Sequence, residues 1–348
     1  MIEEASAIRA EVRRTRIGSW NALGNEETPK QDDSRVPSGE SRVPSPDTRH
    51  PTPDTRILHV PALLRETIEY LAVKPGGHYI DATLGAGGHA EALLERLETG
   101  TLLGIDRDPA ALALARQRLE RFGSRFIMLH GNFAELEALH AAGGQPPVDG
   151  VLADLGVSSM QLNDASRGFS FMWPGPLDMR MDPSTLRTAD EIVNHLSERD
   201  LADLIYKLGE ERHSRRIARA IVKGRPYRTT TELAQVVTRA IPSRAALYHL
   251  HPATRTFLAL RLAVNEELEN LRAFLAAALG VLQPGGRVIM LSYHSLEDRL
   301  VKQAFQAWQH EGRARIITRK VVRPSAEEVQ ANPRARSARL RVAEKIRN

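Results

Sequence analysis

The 348-residue sequence contains no cysteine. That absence excludes disulfides, thiolate metal sites and a thiol nucleophile together. No run of apolar residues reaches the roughly 18 that a membrane span needs. The first ten residues, MIEEASAIRA, are acidic and lack the apolar core of a signal peptide. The expectation is a cytosolic protein with no membrane partner and no metal requirement.

What is present is enough for one large or two ordinary domains. The net charge of +5 is unevenly spread. Residues 311–348 carry eleven Lys/Arg against four Asp/Glu, a local +7, which leaves the rest of the chain about neutral at −2. A basic segment on a neutral body points to a polyanion, or else is only a solvated tail. Residues 1–56 are rich in proline, serine and charge, and repeat SRVPS and PDTR. Such a segment cannot bury enough apolar surface to fold and is expected to be a disordered extension.

The stretch that organises the remainder is DATLGAGGHA, Asp81 to Ala90, between a short apolar run ending at Ile80 and the helical pattern EALLERLE. Gly85, Gly87 and Gly88 allow a sharp bend and a close backbone approach to a ligand. A glycine turn alone is weak evidence, but a second strand, Thr101 to Ile105, ends at Asp106, 21 positions beyond Gly85. An acid at that spacing and place accepts from a ribose diol in dinucleotide-type folds. Asp108, directly before Pro109, suits the cap of the next helix, which leaves Asp106 for the ligand. A third strand, Arg125 to His130, runs into Phe133, for which two readings stand: a ring against adenine, or a plug on the core. The fourth, Val148 to Gly156, is continuously apolar, as burial on both faces requires, and carries Asp154 at its tip. Asp81, Asp106, Phe133 and Asp154 therefore fall on one edge, outside the carboxyl ends of parallel strands, where open α/β sheets bind ligands.

The motifs DATLGAGGHA, IDRDPAA, HGNF and DLGVSSMQL resemble those of the bacterial small-subunit rRNA cytosine-N4 methyltransferases, the MraW/RsmH type. The similarity continues through RGFSFMWPGPLDMRMDP, GEERHSRRIARAI, HPATRTFLALRLAVNEELE, SYHSLEDRLVKQAF and NPRARSARLRVAE, nearly everything from His59 to the end. It implies a Rossmann-like S-adenosylmethionine-dependent methyltransferase sheet with a reversed final strand. It also implies S-adenosyl-L-methionine as cofactor and 16S rRNA, within the small ribosomal subunit, as partner. By the same resemblance Gly87, Gly88 and His89 hold the methionine end, Asp106 the ribose and Phe133 the adenine surround, with Asp154 and Gln161 completing the pocket. Two positions depart from the family: Met160 stands where proline is usual and Asn163 where aspartate is usual. The lack of cysteine adds an independent constraint. Methylation at carbon 5 of a pyrimidine needs a thiolate adduct, whereas an exocyclic amine does not. Acceptors for the amine proton are sought in Asp154, Ser158, Ser159 and His294.

After the fourth strand the pattern turns all-helical, so the expected division is 57–161 with 253–348 as the methyltransferase core and 162–252 as a helical insertion. Ser197 with Asp200 and Thr229 with Glu232 have capping-box spacing, and Gly209 and Pro242 are placed as helix ends. One long helix is expected from Phe257 to Leu275, Ser295 and Asp298 are expected to cap a later helix, and ARIITRK and SARLRVAEK to form the last strands. Phe169, Phe171 and Trp173 form an aromatic loop, and exposed rings beside arginines make a stacking platform for unpaired bases. Two of the three are expected to be packing residues instead. The RNA-binding candidates are Phe169, Trp173, Arg180, Arg215, Arg334, Arg336 and Arg339. Two rival functions are a dinucleotide oxidoreductase, which would need a second nucleotide-binding half, and a non-catalytic assembly factor with a relic pocket.

Overall fold

The computed structural model describes residues 61–241 and 251–346. The expected disordered extension, the start of the first helix at His59 and the helix end at Pro242 lie outside these residues. Helix α1 (Leu64–Leu71) precedes four strand–helix units: β1 (His78–Asp81), α2 (Gly88–Leu94), β2 (Thr101–Asp106), α3 (Pro109–Leu119), β3 (Phe126–His130), α4 (Leu136–Gly143) and β4 (Val148–Asp154). The chain then becomes helical through α5 (Ser159–Asn163), α6 (Ala189–His195), α7 (Glu198–Gly209), α8 (Ser214–Lys223), α9 (Thr230–Ala240) and α10 (Thr254–Val264). It returns through α11 (Glu267–Val281), β5 (Leu282–Ser292), α12 (Ser295–His310), β6 (Ala314–Ile316), α13 (Ala326–Ala331) and β7 (Arg339–Lys345).

The seven strands stand in the order β3-β2-β1-β4-β5-β7-β6. The first five are parallel, and β7 runs antiparallel to both β5 and β6. The buried runs of the central strands β1, β2 and β4 are continuous because helices cover both faces. On one side Ile80, Leu103, Ile105, Val151, Ala153, Val288 and Met290 pack on Phe274, Leu275 and Phe305. On the other, the alternate residues Tyr79, Leu102, Leu152, Ile289 and Leu291 pack on Ile68, Leu93, Leu94, Leu112 and Leu119. Each fully buried aliphatic chain contributes about 1.5–3 kcal/mol, and a one-residue slip would exchange the two sets. That fixes the level at which the strand tips end.

A separate apolar cluster holds the helical region: Ile192, Leu201, Ile205, Ile217, Ile221, Leu233 and Val237 close around Phe257 and Leu260 of α10. In packing terms this region therefore reaches Val264. The expected single helix from Phe257 to Leu275 is two helices. The break falls at Asn265-Glu266, where Glu266 has φ 50°. The buried Asn265 amide donates to the Met179 carbonyl at 2.7 Å and accepts from the Met181 N–H at 2.7 Å, and Arg261 pairs with Glu267 across the bend. These bonds tie the loop after the aromatic segment to the core and outweigh the apolar periodicity. Thr229 and Glu232 form the expected capping box, whereas Ser197 caps α7 with Asp200 turned onto its hydroxyl. The N-cap of α12 is His294, one residue before Ser295, with its ring accepting from the Glu297 N–H. The strand β5 starts at Leu282, with a register shift against β4 across the QPGG segment, and β6 keeps only Ala314–Ile316 of ARIITRK.

Candidate functional site

The loop after β1 is woven into its neighbours. The Ala82 N–H donates to the Leu152 carbonyl and the Leu84 N–H to that of Ile105. The Thr83 hydroxyl lies 2.6 Å from the Asp154 N–H and accepts from it. Gly85, at φ +53°, donates its N–H to Asp106 Oδ2 at 2.7 Å, while Asp106 Oδ1 accepts from the Asp108 N–H at 2.8 Å. Each Asp106 oxygen is thus oriented by one N–H and keeps acceptor capacity for a ligand. Asp108 caps α3 through the Ala110 N–H, as its place before Pro109 implies.

Three carboxylates meet at these tips, and no Lys or Arg among the described residues ion-pairs with them. Burial pushes Asp81 up to about 7, against its bond from the Thr83 N–H and assisted by the charges of Asp154 and Asp106. Burial likewise pushes Asp154 up to about 7, opposed by a hydrogen bond from the Tyr293 hydroxyl and assisted by the Glu297 charge. Asp106 is also raised by burial, with the Asp108 and Gly85 N–H groups pulling the other way. Removing charged groups from water without a counter-charge favours the neutral acid. A cationic ligand would reverse that balance.

The remaining pocket candidates divide. His89 is buried, with Nε2 3.2 Å from the Ala62 carbonyl and Nδ1 3.7 Å from Asp154 Oδ2. Gly87 starts α2 at φ +80°, and a Cβ on Gly88 would stand 2.4 Å from Pro61 Cγ. The glycine at 88 therefore answers to packing as well as to any ligand. Gln161 is committed on both amide atoms: Nε2 donates to Asp108 Oδ2 at 2.7 Å and Oε1 accepts from the Ser158 N–H. Asp108 also meets the Arg167 guanidinium at 3.0 Å, so the loop after β4 is pinned to α3. Phe133 packs edge-on against Phe274, 5.4 Å between centroids, and stays half-buried at the site's margin. The Ser158 hydroxyl accepts from the Gln161 N–H as a helix cap, and Ser159 follows as the first residue of α5. His294 is turned away from the role of proton acceptor: Nδ1 accepts from the Glu297 N–H, and Nε2 lies 3.2 Å from Glu297 Oε1.

The RNA-binding candidates also separate. Phe169 is 7% exposed in the helical cluster, with the Arg167 guanidinium over its ring, so it has no face for a base. Phe171 is packed on Phe257 and His251, while Trp173 is 61% exposed. Its backbone is held by the Thr230 hydroxyl. Arg180 is locked by both Asp178 oxygens and by the Pro183 and Thr185 carbonyls, which makes it a loop brace. Arg215 and Arg336 are exposed. Arg334 is exposed and reaches Asn163 Oδ1 at 2.7 Å, so the departure at 163 has a partner. Arg339 is drawn toward Asp298, which Arg341 holds with two hydrogen bonds. A cleft of about 340 Å³ in the helical region is lined by Phe171, His251 and the α9 residues Thr231, Gln235, Thr238 and Arg239. It includes no strand-tip residue; the converging carboxylates define the site.

Tyr293 and Glu297 escaped the sequence reading. The signal was available: Tyr293 directly follows the apolar run of β5, and a glutamate three residues after His294 has cap spacing.

A family model described as the MraW methylase family matches residues 56–346. The chain belongs to that family. Among its relatives, "Ribosomal RNA small subunit methyltransferase H" of Syntrophobacter fumaroxidans is 50% identical over 306 residues, 82% of this chain and 96% of the relative. The protein of the same name from Dehalococcoides mccartyi is 50% identical over 304 residues, 83% and 86% of the two chains. That of Synechococcus elongatus is 49% identical over 288 residues, 83% and 95%. The matched span takes in every strand-tip residue described above, so in this MraW-family chain the acidic edge of the sheet belongs to the methylase unit.

Proposed function

We propose that this chain transfers the methyl group of S-adenosyl-L-methionine to the exocyclic N4 amine of a cytidine in 16S rRNA, acting in the cytoplasm on the small ribosomal subunit. The observation that carries the reading is the trio Asp81, Asp106 and Asp154, gathered at parallel strand tips with no Lys or Arg ion-paired to them among the described residues. Such a site fits a ligand that brings its own positive charge and a ribose diol. When bound, S-adenosyl-L-methionine supplies a methyl group already activated on a cationic sulfur. Asp106, with both oxygens aligned by backbone N–H groups, is suited to the ribose; Asp81 and Asp154 suit the cationic end. Little else is required of the protein than alignment.

Asp154 is also the best-placed acceptor for the amine proton. It stands at the tip of β4, beside the place proposed for the cofactor's cationic end, where an acceptor for the amine proton is needed. The helical region through Val264 and the segment before β7 supply the RNA side, the first with Trp173 as a stacking ring and Arg215 as a phosphate contact, the second with Arg336 as another.

The test is methyl transfer to small-subunit RNA from cells lacking the enzyme, followed by nucleoside mass spectrometry. N4-methylcytidine is expected, with no cross-linked band on fluoropyrimidine RNA because no thiol adduct forms. A 5-methylcytidine or ribose-methylated product contradicts the reading. A parallel titration separates the rivals: binding of NAD rather than S-adenosylmethionine would indicate an oxidoreductase, and cofactor binding without transfer an assembly factor.

A further inference from the structure

A chain of polar groups, partly buried at Tyr293 and His294 and buried at Glu297, runs behind Asp154. Its Oδ1 accepts from the Tyr293 hydroxyl at 2.8 Å. The Tyr293 backbone N–H donates to Glu297 Oε2 at 3.0 Å. Glu297 is 2% exposed, and its other oxygen faces His294 Nε2 at 3.2 Å. Arg261, clamped by Glu267 at 2.8 and 2.9 Å, adds its charge on the far side. Burial pushes Glu297 up, but the His294 and Arg261 contacts and the Tyr293 N–H bring it below its ordinary value, so it remains an anion. Tyr293 is pushed well above the ordinary phenol value by burial and by the Asp154 charge beside it. It therefore stays a donor and cannot itself take a proton.

We propose that Tyr293 and Glu297 are positioning residues for Asp154: Tyr293 occupies Oδ1, Glu297 anchors the Tyr293 backbone, and Oδ2 is thereby presented to the substrate amine. This rests on the reading of Asp154 as the acceptor of the N4 proton. The amine lone pair forms the new N–CH3 bond, the S–CH3 electron pair stays on sulfur, and the amine's proton passes to Asp154 Oδ2. Among the described residues four titratable neighbours bear on that carboxylate: Tyr293 after β5, Glu297 from α12, His89 from α2 and Asp81 from β1. Two of them act in opposite senses. The Tyr293 hydrogen bond favours the ionised carboxylate, and the Glu297 charge disfavours it.

The experiment uses the full chain with 13C-labelled aspartate carboxyls, the Asp154 signal being assigned by its loss in Asp154→Asn. Its titration midpoint is read in wild type, Tyr293→Phe and Glu297→Gln, and the acid limb of methyl transfer is measured alongside. Tyr293→Phe is expected to raise the midpoint, and Glu297→Gln to lower it, each by roughly half a unit to one unit. The acid limb should follow in the same directions. A purely structural role would weaken both variants without moving the midpoints oppositely. Midpoints that stay together, or move the same way, overturn the proposal. If Glu297→Gln does not fold, an unmoved midpoint in Tyr293→Phe is sufficient to overturn it. Midpoints that separate while the acid limb stays fixed would instead reject Asp154 as the proton acceptor, leaving the tuning intact.

Discussion

At the strand tips the protein gathers three carboxylates, Asp81 buried and Asp106 and Asp154 partly so, and none ion-pairs with a Lys or Arg among the described residues; over the helical region and the C-terminal segment it does the reverse. There arginines outnumber acids, and those that matter for fold are distinguishable from those left over. Arg167, Arg180, Arg261 and Arg341 are each bound by carboxylates, while Arg215 and Arg336 stand in solvent. The contrast teaches that two ligands of opposite charge are recognised by different physics. A small cation is matched by desolvated acids whose protonation responds to it. A polyanion is matched by exposed cations whose worth depends on salt. A basic residue count alone would have credited both groups of arginines to RNA.

The sharpest way to break this division is at Asp154. Asp154→Asn should lower methyl transfer by about 10²–10⁴-fold, the usual loss for a positioned base, with RNA affinity unchanged in a filter-binding assay. Two of the three rings of the aromatic loop provide the next test. Phe169→Ala should cost about 3–5 kcal/mol of stability, as removal of a buried aromatic does, read by denaturant unfolding. Trp173→Ala should leave stability near wild type and weaken RNA binding by about 1–3 kcal/mol, the worth of one stacked base. Equal effects from the two would erase the distinction between packing and platform. Asp106→Ala should weaken S-adenosylmethionine binding by about 1.5–3 kcal/mol, the range for hydrogen bonds to a charged group, as calorimetry can read. The smallest change is expected at the surface. Arg215→Ala with Arg336→Ala should flatten the logarithmic salt slope of RNA binding by roughly 0.7–0.9 per lost phosphate contact, with cofactor affinity unaltered.

The parts of the fold readable in the sequence are those set by local period and by burial on both faces. The strands β1 to β5, the glycine turn, the Asp108 cap and the Thr229 box depend on neighbours close in the chain. What was not readable depends on partners far away. Tyr293 meets Asp154 across 139 positions, and Asn265 meets Met179 across 86. The break at Glu266 follows from that second pairing, against a helical period that continues through it. Phe169 and Arg180 looked like recognition residues because their partners, the helical cluster and the carbonyls of 183 and 185, cannot be inferred from composition. His294 looked like a base because its place at a strand tip is visible, whereas its use as a helix cap is a matter of one rotamer.

Charge linkage at the tips is the most direct measure of the whole account. Asp81 and Asp154 stand at about 7 in the ligand-free protein, above the ordinary value of 3.8 that applies in the unfolded chain. Between those values the folded state holds protons that the unfolded state has lost, so the stability of the ligand-free protein should fall as pH rises from about 4 to 7. The cationic cofactor needs the same two groups ionised, so its affinity should move the other way. Calorimetric titrations of S-adenosylmethionine at pH 5.5 and 7.5, each at low and high salt, beside RNA titrations under the same four conditions, bring both halves together. The account predicts cofactor affinity that climbs with pH and releases protons at the lower pH while changing little with salt, and RNA affinity that collapses with salt and changes little with pH. Cofactor binding indifferent to pH, or as salt-sensitive as RNA binding, would contradict it.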